Sequence, residues 1–463
     1  MEIIRLVEEK VLLVVEEVLK ILEGGIDLRT YELALKKELD SLGCDILQVV
    51  LESLDKKLRE DKERKKQWEL VRREDRKTIT TLFGQVTYKR TYYQHKKSKE
   101  YCYLVDEKAG YSPHVRISGN LKAELVEAAT VMSYEGATIE LSRHNPELKI
   151  SRQTVASSVK TFSPKKEEER PEKRKVKILY VEADEDHVKI KGHKKKNMTK
   201  LAYIHEGVAE KPRRHLINAR YFSTLKKSSD ELWYEIAEYI ALNYDLESIE
   251  TIYLAGDGGK WIKVGLDYLY DAIFVLDKFH LNKQIKSATA HAKDLKAPLR
   301  KAIMGLNKKE AFKNLTEALN RTAEGARKKR IIDTAKYINN NWDGIVAQVE
   351  HPEVGCSAEG HVSHILAARM SSRPMAWSVA GAENMAQMRA IRANGDSVKE
   401  HYLAGQQKSP LIAELKDVVQ KELKTLKHRK AVGKEYLYNM PLLNQANSFT
   451  AIALRGLNNK YAV

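Results

Sequence analysis

Cysteine is scarce in this chain. Three cysteines, Cys44, Cys102 and Cys356, occur among 463 residues, and they stand far apart. No CxxC pair is present, so the sequence indicates neither a disulfide framework nor a zinc site built from thiolates. This usage of cysteine is typical of a protein that works in a reducing cytosol.

Long apolar runs are also missing. No segment approaches the roughly 20 apolar residues that a membrane-spanning helix needs. The apolar opening, MEIIRLVEEKVLLVVEEVLKILEGG, carries glutamates at helical intervals and is unlike a signal peptide. We therefore expect a soluble, cytoplasmic protein without a membrane partner.

Positive charge is in excess. The sequence has 81 Lys and Arg against 64 Asp and Glu, which gives a formal net charge of +17. Because each neutralised phosphate releases counterions and adds affinity, this charge favours a polyanionic partner, with nucleic acid as the first candidate. A hydrophobic content of 43% in a chain of 463 residues predicts several domains with globular cores.

The amino-terminal part is predicted to be helical and then to form a β-hairpin. Residues 1–76 place apolar side chains at helical spacing before a highly charged stretch, which is typical of an amphipathic or coiled assembly helix. In the region 77–118, TITTLFGQVTYKRTYYQ has period two and predicts a hairpin over 78–94 with a Gly-Gln turn. Lys89 and Arg90 could grip nucleic acid, although Tyr and Thr are also ordinary strand residues.

Residues 119–162 return to a helical pattern. SYEGATIELSRHNPELKISRQTVASSVK predicts a helix, a turn at Asn145-Pro146 and a second helix capped by Ser151. This is the outline of a DNA-binding helix-turn-helix, although helix pairs are common. The side chains left free to meet a major groove are Arg152, Gln153, Ser157 and Lys160. The next segment, SPKKEEERPEKRK at 163–175, has the composition of a linker and predicts a domain boundary.

The segment 176–280 predicts a mixed α/β domain. Three strand-like runs precede a helix, a strand, a helix and a strand, which gives the order βββαβαβ. This order matches the ribonuclease H-like fold, in which the first strand lies centrally beside the fourth. Residues 281–350 predict a basic α-helical insertion, 351–378 a further helix of the core, and 379–463 a helical C-terminal region.

Four acidic residues cluster in VEADEDHVKI, residues 181–190, on the first of these strands. Because side chains alternate along a strand, Glu182, Asp184 and Asp186 share one face, whereas Glu185 points to the other. At about 3.3 Å per residue, Glu182 and Asp186 lie roughly 13 Å apart and cannot serve one pair of metal ions together. A polar strand end in water is the alternative interpretation.

A second aspartate, Asp257, ends the fourth strand in LAGDGG. Neighbouring strands lie about 4.8 Å apart, so Asp184 and Asp257 can bracket one site. Phosphoryl transfer between nucleic-acid strands uses two Mg²⁺ ions, which prefer carboxylate oxygens. A third carboxylate is expected from a helix beyond the last strand. Glu359 stands near the start of such a helix, although spacing alone would allow any glutamate there.

These segments resemble the DDE transposases of bacterial insertion sequences, in particular the ISLre-type group related to the Mutator-like superfamily. The matching text is YVEADEDHVKIKGH, LAGDGGKWIK, VLDKFHLNK and CSAEGHVSHILAARMSSRPMAW, supported by FGQVTYKRTYY and the helix-turn-helix region. The resemblance covers most of the chain. It implies a ribonuclease H-like catalytic domain with an α-helical insertion between the second aspartate and the glutamate.

The resemblance also implies roles for individual residues. The catalytic and metal-binding triad it implies is Asp184, Asp257 and Glu359. Asp186 is the alternative to Asp184 as the first aspartate. The related superfamily has a Cys-or-Asp, two residues, His element after the second aspartate, and Asp277 with His280 matches it as an auxiliary pair.

The implied activity is DNA cleavage at transposon ends and strand transfer to target DNA, with Mg²⁺ or Mn²⁺ in a two-metal site. The implied partners are double-stranded DNA and further copies of the chain, as a homodimer or larger assembly, at the bacterial nucleoid. Two alternatives stay open. One is a transposase-derived DNA-binding protein without catalysis, and the other is a ribonuclease H-like nuclease without strand transfer.

Overall fold

A computed structural model describes residues 11–16, 19, 27–112, 114–165, 171–323 and 325–405. Of the predicted amino-terminal helix before residue 27, residues 11–16 and 19 are helical and the rest lie outside the described part. Residues 166–170 of the predicted linker and residues 406–463 of the predicted C-terminal region also lie outside it. The described residues up to 405 form one compact unit.

The first elements are a long helix and a β-hairpin that packs on it. They are α1 (Leu28–Glu60), α2 (Lys62–Gln67), β1 (Trp68–Thr80), β2 (Gln85–His95), β3 (Tyr101–Cys102) and α3 (Leu104–Lys108). The carboxylate of Asp27 caps α1 by accepting a hydrogen bond from Thr30 N–H. Leu51 of α1 packs with Val86 and Tyr88 of β2 in a small core. The predicted hairpin is present, with longer strands than expected.

The helix predicted over 1–76 is wrong for residues 68–76, which belong to β1. Trp68 and Leu70 are half-buried and stand two residues apart, which is strand spacing. They pair with β2, whose tyrosines and threonines favour strand structure. The charged residues after Leu70 obscure this short alternation in the sequence.

Three helices follow the hairpin, namely α4 (Gly119–Ala129), α5 (Tyr134–His144) and α6 (Arg152–Lys160). A serine precedes each helix, and its hydroxyl accepts a hydrogen bond from a backbone N–H of the first turn. Helix α5 ends before Asn145, and Val155 and Val159 turn the apolar face of α6 inward. The predicted pair of helices with a turn between them is therefore present.

A five-stranded mixed sheet forms the centre of the unit. Its strands are β4 (Ile178–Val188), β5 (Asn197–His205), β8 (Arg220–Thr224), β9 (Thr251–Gly256) and β10 (Ala272–Leu276). Their order across the sheet is β10-β9-β4-β5-β8, so the first strand lies centrally beside the fourth, as the sequence order predicts. β4, β9 and β10 are parallel, whereas β5 is antiparallel to β4 and β8. Two short strands, β6 (Val208–Ala209) and β7 (His215–Leu216), pair apart from this sheet.

Helices cover both faces of the sheet. On one face, Leu179, Val181 and Ala183 of β4 pack with Trp233 and Ile236 of α7 (Ser229–Asn243). The short helix α8 (Lys260–Lys263) contributes Trp261 and Ile262 to the same core. The even-numbered residues of β4 therefore face the other helical layer, which decides the orientation of Asp184.

The rest of the described chain is helical. The helices are α9 (Lys278–Ala288), α10 (Lys296–Met304), α11 (Lys308–Asn320), α12 (Gly325–Asn340), α13 (Trp342–Glu350), α14 (Ala358–Val362), α15 (Ala368–Met370), α16 (Val379–Ala393) and α17 (Val398–Gly405). A π-helical turn, Ser363–Ala367, joins α14 to α15. Among the described residues, no helix is both long and apolar enough to cross a membrane.

One hydrophobic core joins the helices before the predicted linker to those at the end of the described chain. Val126 of α4 and Val155 of α6 belong to the same cluster as Leu201 of β5 and Met385 of α16. Asn384 also donates hydrogen bonds to the backbone carbonyls of Val159 and Lys160. The predicted boundary at 163–175 thus lies between segments that share one core.

Candidate active site

Asp184 and Asp257 lie side by side where the parallel pairing of β4 with β9 ends, four residues before the end of β4 and directly after β9. The parallel register pairs Ala183 of β4 with Gly256 of β9, and the next residue on each strand is the aspartate. A β-carbon at Gly256 would lie 2.8 Å from the carbonyl oxygen of Ala183, so glycine permits this close approach. The fold therefore brings together two carboxylates that are far apart in the sequence.

Asp277 and His280 occupy the same edge of the sheet. Leu276 of β10 pairs with Gly256, and Asp277 N–H donates to the carbonyl of Gly256 at 2.8 Å. The Asp277 carboxylate caps α9 by accepting from Phe279 N–H, and its other oxygen lies 2.7 Å from Nδ1 of His280. Asp257 and Asp277 thus directly follow β9 and β10, next to the adjacent parallel strand β4, which carries Asp184.

The charges at this edge influence one another. Burial raises the pKa of Asp184 to about 6. The negative charges of Asp257 and Glu185 also raise this pKa, whereas the hydrogen bond from Glu185 N–H and the charge of His280 lower it. The hydrogen bond with Asp277 raises the pKa of His280, and the charges of Asp184 and Asp257 act in the same direction. Asp184, Asp257, Asp277 and His280 therefore form one electrostatic unit, called here the carboxylate edge.

The other acids of the cluster have separate surroundings. Glu185 points to the opposite face of the sheet, as strand alternation predicts, and accepts a hydrogen bond from the Trp261 indole at 2.6 Å. Asp186 is half-buried, and its Oδ2 is buried without a hydrogen-bond partner among the residues that the structure describes. Glu182 is nearly inaccessible, with a side chain only 5% exposed.

Glu182 holds a buried network that the sequence did not predict. Its carboxylate accepts hydrogen bonds from the Tyr203 hydroxyl and from the backbone N–H and hydroxyl of Ser357, and it lies 3.1 Å from Nε2 of His205. Burial opposes its charge, but the bonds with His205, Tyr203 and Ser357 outweigh this and lower the pKa of Glu182. Ser357 precedes α14, so this network ties that helix to the central strand.

Glu359 lies on α14, in the layer that faces the even-numbered residues of β4. Its side chain is exposed. Within the described ranges, no three His, Cys, Asp or Glu side chains stand in an arrangement that could hold a metal ion, and this applies to Asp184, Asp257 and Glu359. The structure thus brings the two aspartates together and leaves Glu359 apart on a neighbouring helix.

Helices of the predicted insertion contact the turn that carries Asp257. The Tyr337 hydroxyl of α12 donates to the backbone carbonyl of Asp257 at 2.8 Å. Gly258 has a φ of +86°, and a β-carbon there would collide with the amide of Asn341, just beyond α12. The insertion therefore fixes the turn after β9, and no sequence pattern indicated these contacts.

The predicted DNA-contacting residues fall into two groups. The side chains of α6 that the sequence left free for a major groove are all exposed, namely Arg152, Gln153, Ser157 and Lys160. On the hairpin, Lys89 is exposed and lies 3.3 Å from Glu74. Arg90 instead forms an ion pair with the buried Asp106, and its guanidinium lies over the Tyr103 ring at 3.5 Å. Arg90 thus has a structural role inside the hairpin.

Comparison with known proteins identifies the relatives of the chain. The family described as "Uncharacterised protein family (UPF0236)" matches residues 21–407. A UPF0236 protein of Caldanaerobacter subterraneus subsp. tengcongensis is 38% identical over 383 residues, which is 82% of this chain and 81% of the relative. A UPF0236 protein from the vanSb 3′ region of Streptococcus gallolyticus is 28% identical over 402 residues, 82% of this chain and 86% of the relative. The chain therefore belongs to the UPF0236 family.

Proposed function

We propose that this protein is a DDE-type transposase with a ribonuclease H-like catalytic core, which cleaves DNA at the ends of an insertion sequence and joins them to target DNA. The observation that carries the proposal is the placement of Asp184 beside Asp257 at the point where the two central parallel strands, β4 and β9, stop pairing. The strand order β10-β9-β4-β5-β8 supports the assigned fold.

The donor chemistry of the carboxylate edge fits Mg²⁺ or Mn²⁺. Asp184 and Asp257 supply hard carboxylate oxygens, and burial raises the pKa of Asp184, so a nearby cation would favour its charged form. When bound, two such ions would activate the attacking oxygen and stabilise the leaving oxygen. Asp184 and Asp257 would hold them, and Glu359 on α14 is the third ligand that the resemblance to DDE transposases implies.

The other residues of the edge position the site. Asp277 orients His280, which can hold a proton or a phosphate oxygen near the aspartates because its pKa is raised. Glu182 fixes the start of α14, and Tyr337 and Asn341 fix the turn after Asp257. Asp186, whose Oδ2 is buried without a hydrogen-bond partner in the described part of the chain, is the reserve ligand.

The net charge supports a DNA partner, and the names of two relatives support a mobile element. A net charge of +17 favours DNA, and the exposed side chains of α6 suit a major groove. The name of one Caldanaerobacter relative joins eleven locus designations, and that of another joins four, as copies of a mobile element would require. Because two ends must be held together, the proposal includes a homodimer or a larger assembly. It also includes action at the nucleoid in the cytoplasm.

The proposal predicts metal-dependent cleavage that needs Asp257. Labelled duplexes carrying the DNA that flanks the gene would be incubated with the protein and Mg²⁺ or Mn²⁺, and nicked and joined products would be separated on a gel. Asp257→Asn keeps an acceptor for Gly259 N–H but loses the charge. We expect a loss of at least about 100-fold in rate, because a ligand of the metal ions is removed.

The exposed Asp267→Ala is the matched control and should cleave like the wild type. Equal cleavage by wild type and Asp257→Asn would contradict the assigned site. DNA binding without any cleavage would favour the non-catalytic alternative, and nicking without joined products would favour the nuclease.

A further inference from the structure

A lysine-rich loop connects β4 to β5. Residues 189–196, called here the lysine loop, have the sequence KIKGHKKK, and no acidic residue occurs from His187 to Lys200. The five lysines of the loop are all exposed, namely Lys189, Lys191, Lys194, Lys195 and Lys196. Four positive charges therefore follow the buried end of the strand within six residues, from Lys191 to Lys196.

The base of the loop is fixed to the helical layer. Lys191 N–H donates to the carbonyl of Trp377 at 2.8 Å, and Trp377 N–H donates to the carbonyl of Lys189 at 2.9 Å. Ile190 between them is fully buried. The ammonium of Lys189 donates to the carbonyl of His193, so this lysine braces the loop. The remaining lysines project from a preorganised base.

The remaining four lysines are not neutralised by acidic side chains within the described part of the chain. Among the residues that the structure describes, Lys191, Lys194, Lys195 and Lys196 form no ion pair. Four unpaired like charges on one loop repel one another, which a polyanion relieves. Lysine ammonium groups bind phosphate oxygens as point charges and add affinity by releasing counterions.

The loop lies at the same edge of the sheet as the candidate active site. β4 runs from Ile178 toward the loop, and Asp184 precedes Val188, the last residue of the strand, by about 13 Å. Successive nucleotides in a strand rise about 3.4 Å, so the loop can reach phosphates roughly four or more steps from one at Asp184. The other concentrated basic loop near the sheet, at 211–214, follows β5 and lies at the opposite edge.

We propose that the lysine loop binds the phosphate backbone of the DNA that enters the carboxylate edge and thereby sets the path of that DNA across the site. This inference rests on the proposed function and adds a second DNA contact, separate from α6. The recognition is independent of base sequence, because ammonium groups on an exposed loop contact phosphates and not base edges.

The test removes three charges from the loop. The full-length variant Lys194→Gln/Lys195→Gln/Lys196→Gln would be compared with the control Lys211→Gln/Arg213→Gln/Arg214→Gln, which loses the same charge at the opposite edge. Binding of a labelled flanking-DNA duplex would be measured by fluorescence anisotropy without divalent metal, from roughly 50 to 200 mM salt. Hydroxyl-radical footprints and metal-dependent cleavage would be recorded on the same duplex.

We expect the loop variant to bind DNA at least about tenfold more weakly than the wild type. The slope of log affinity against log salt concentration should become shallower by about 0.9 for each phosphate contact that is lost. Its footprint should lose protection next to the cleavage site, with the protection by α6 retained. The control should keep the wild-type slope and footprint. Equal melting temperatures would show that all three proteins are folded.

The outcomes separate the two proposals. If the wild type binds and cleaves DNA but the loop variant has the same slope and footprint, the lysine loop proposal is wrong and the proposed function stands. If the control loses as much affinity as the loop variant, the effect is one of net charge and the loop proposal is again wrong. If the wild type neither binds nor cleaves DNA, both proposals fail.

Discussion

Glu182 belongs to the acidic cluster but is buried, and it stabilises the position of neighbouring elements of the site. An ionised carboxylate inside a protein is costly unless hydrogen bonds replace the lost water. Here Tyr203, His205 and Ser357 provide that replacement, from the strand next to β4 and from the start of α14. The charge therefore stabilises one arrangement of the sheet and of the helix that bears Glu359.

We predict that Glu182→Gln lowers the free energy of unfolding by about 1.5–3 kcal/mol at neutral pH, the usual value of hydrogen bonds to a buried charge. The pKa of Glu182 is lower in the folded state than its ordinary value of 4.5. Its stabilisation is therefore fully present above pH 4.5 and is lost as the pH falls through the folded pKa. Urea unfolding of both proteins at several pH values measures the difference.

The exposed Glu247→Gln is the control for that experiment and should change the free energy of unfolding by less than about 0.5 kcal/mol. A difference between wild type and Glu182→Gln that stays constant down to acid pH would show that the carboxylate charge is not the stabilising group.

The elements differ in how far the sequence predicts them. Strand patterns with side chains alternating between two faces predict β4 and β5, and a short apolar run predicts β9. The order βββαβαβ predicts that β4 lies beside β9, because this is the arrangement of the ribonuclease H-like fold. The alternation also predicts the opposite directions of Asp184 and Glu185. It fails for residues 68–76, where charged residues dominate and the pairing with β2 decides the structure.

Contacts between elements could not be predicted. Glu182, Tyr203 and Ser357 come from three separate segments, and nothing local in any of them identifies the others. The same is true of Tyr337, which reaches the backbone of Asp257 from a helix of the insertion. Sequence periodicity indicates which face a side chain occupies, whereas its partner depends on how the layers pack.

The turn between β9 and α8 permits a test of how the insertion positions Asp257. Gly258 has a φ of +86°, and a β-carbon there would also collide with Asn341. Gly258→Ala should lower the free energy of unfolding by about 1–2 kcal/mol, because alanine disfavours the left-handed backbone conformation. It should also displace the turn. We expect the metal-dependent cleavage rate to fall by at least about tenfold, because small displacements at a reacting centre have large effects on rate.

Gly395→Ala is the matched control for that turn. Gly395 has a similar φ of +79°, and a β-carbon there would meet nothing within 4 Å. The Gly395→Ala variant should therefore lose a similar free energy of unfolding, because its backbone is equally left-handed. Its cleavage rate should stay near that of the wild type. Equal cleavage rates for the two variants, measured at a temperature where both are folded, would show that the contact with Asn341 does not position the site.

In the part of the chain that the structure describes, helices α4, α5 and α6 share one hydrophobic core with the sheet. Val155 of α6, Leu201 of β5 and Tyr402 of α17 belong to a single cluster. A linker composition at 163–175 suggests separable domains, but the buried residues on its two sides pack together. We therefore expect a shift of α6 to be transmitted to the layer that carries Glu359, because close-packed cores have few voids to absorb it.

A substitution in the middle of this core should therefore destabilise both parts together. Met385 is fully buried in the cluster, and Met385→Ala is expected to cost about 2–5 kcal/mol through lost burial and the remaining cavity. Hydrogen exchange should speed up by similar factors in peptides from α4 and from β5, because one cooperative unit opens. Met304→Ala, at a side chain that is 38% exposed, should leave both rates nearly unchanged. Faster exchange in α4 with β5 still protected would show that the helices open independently of the sheet.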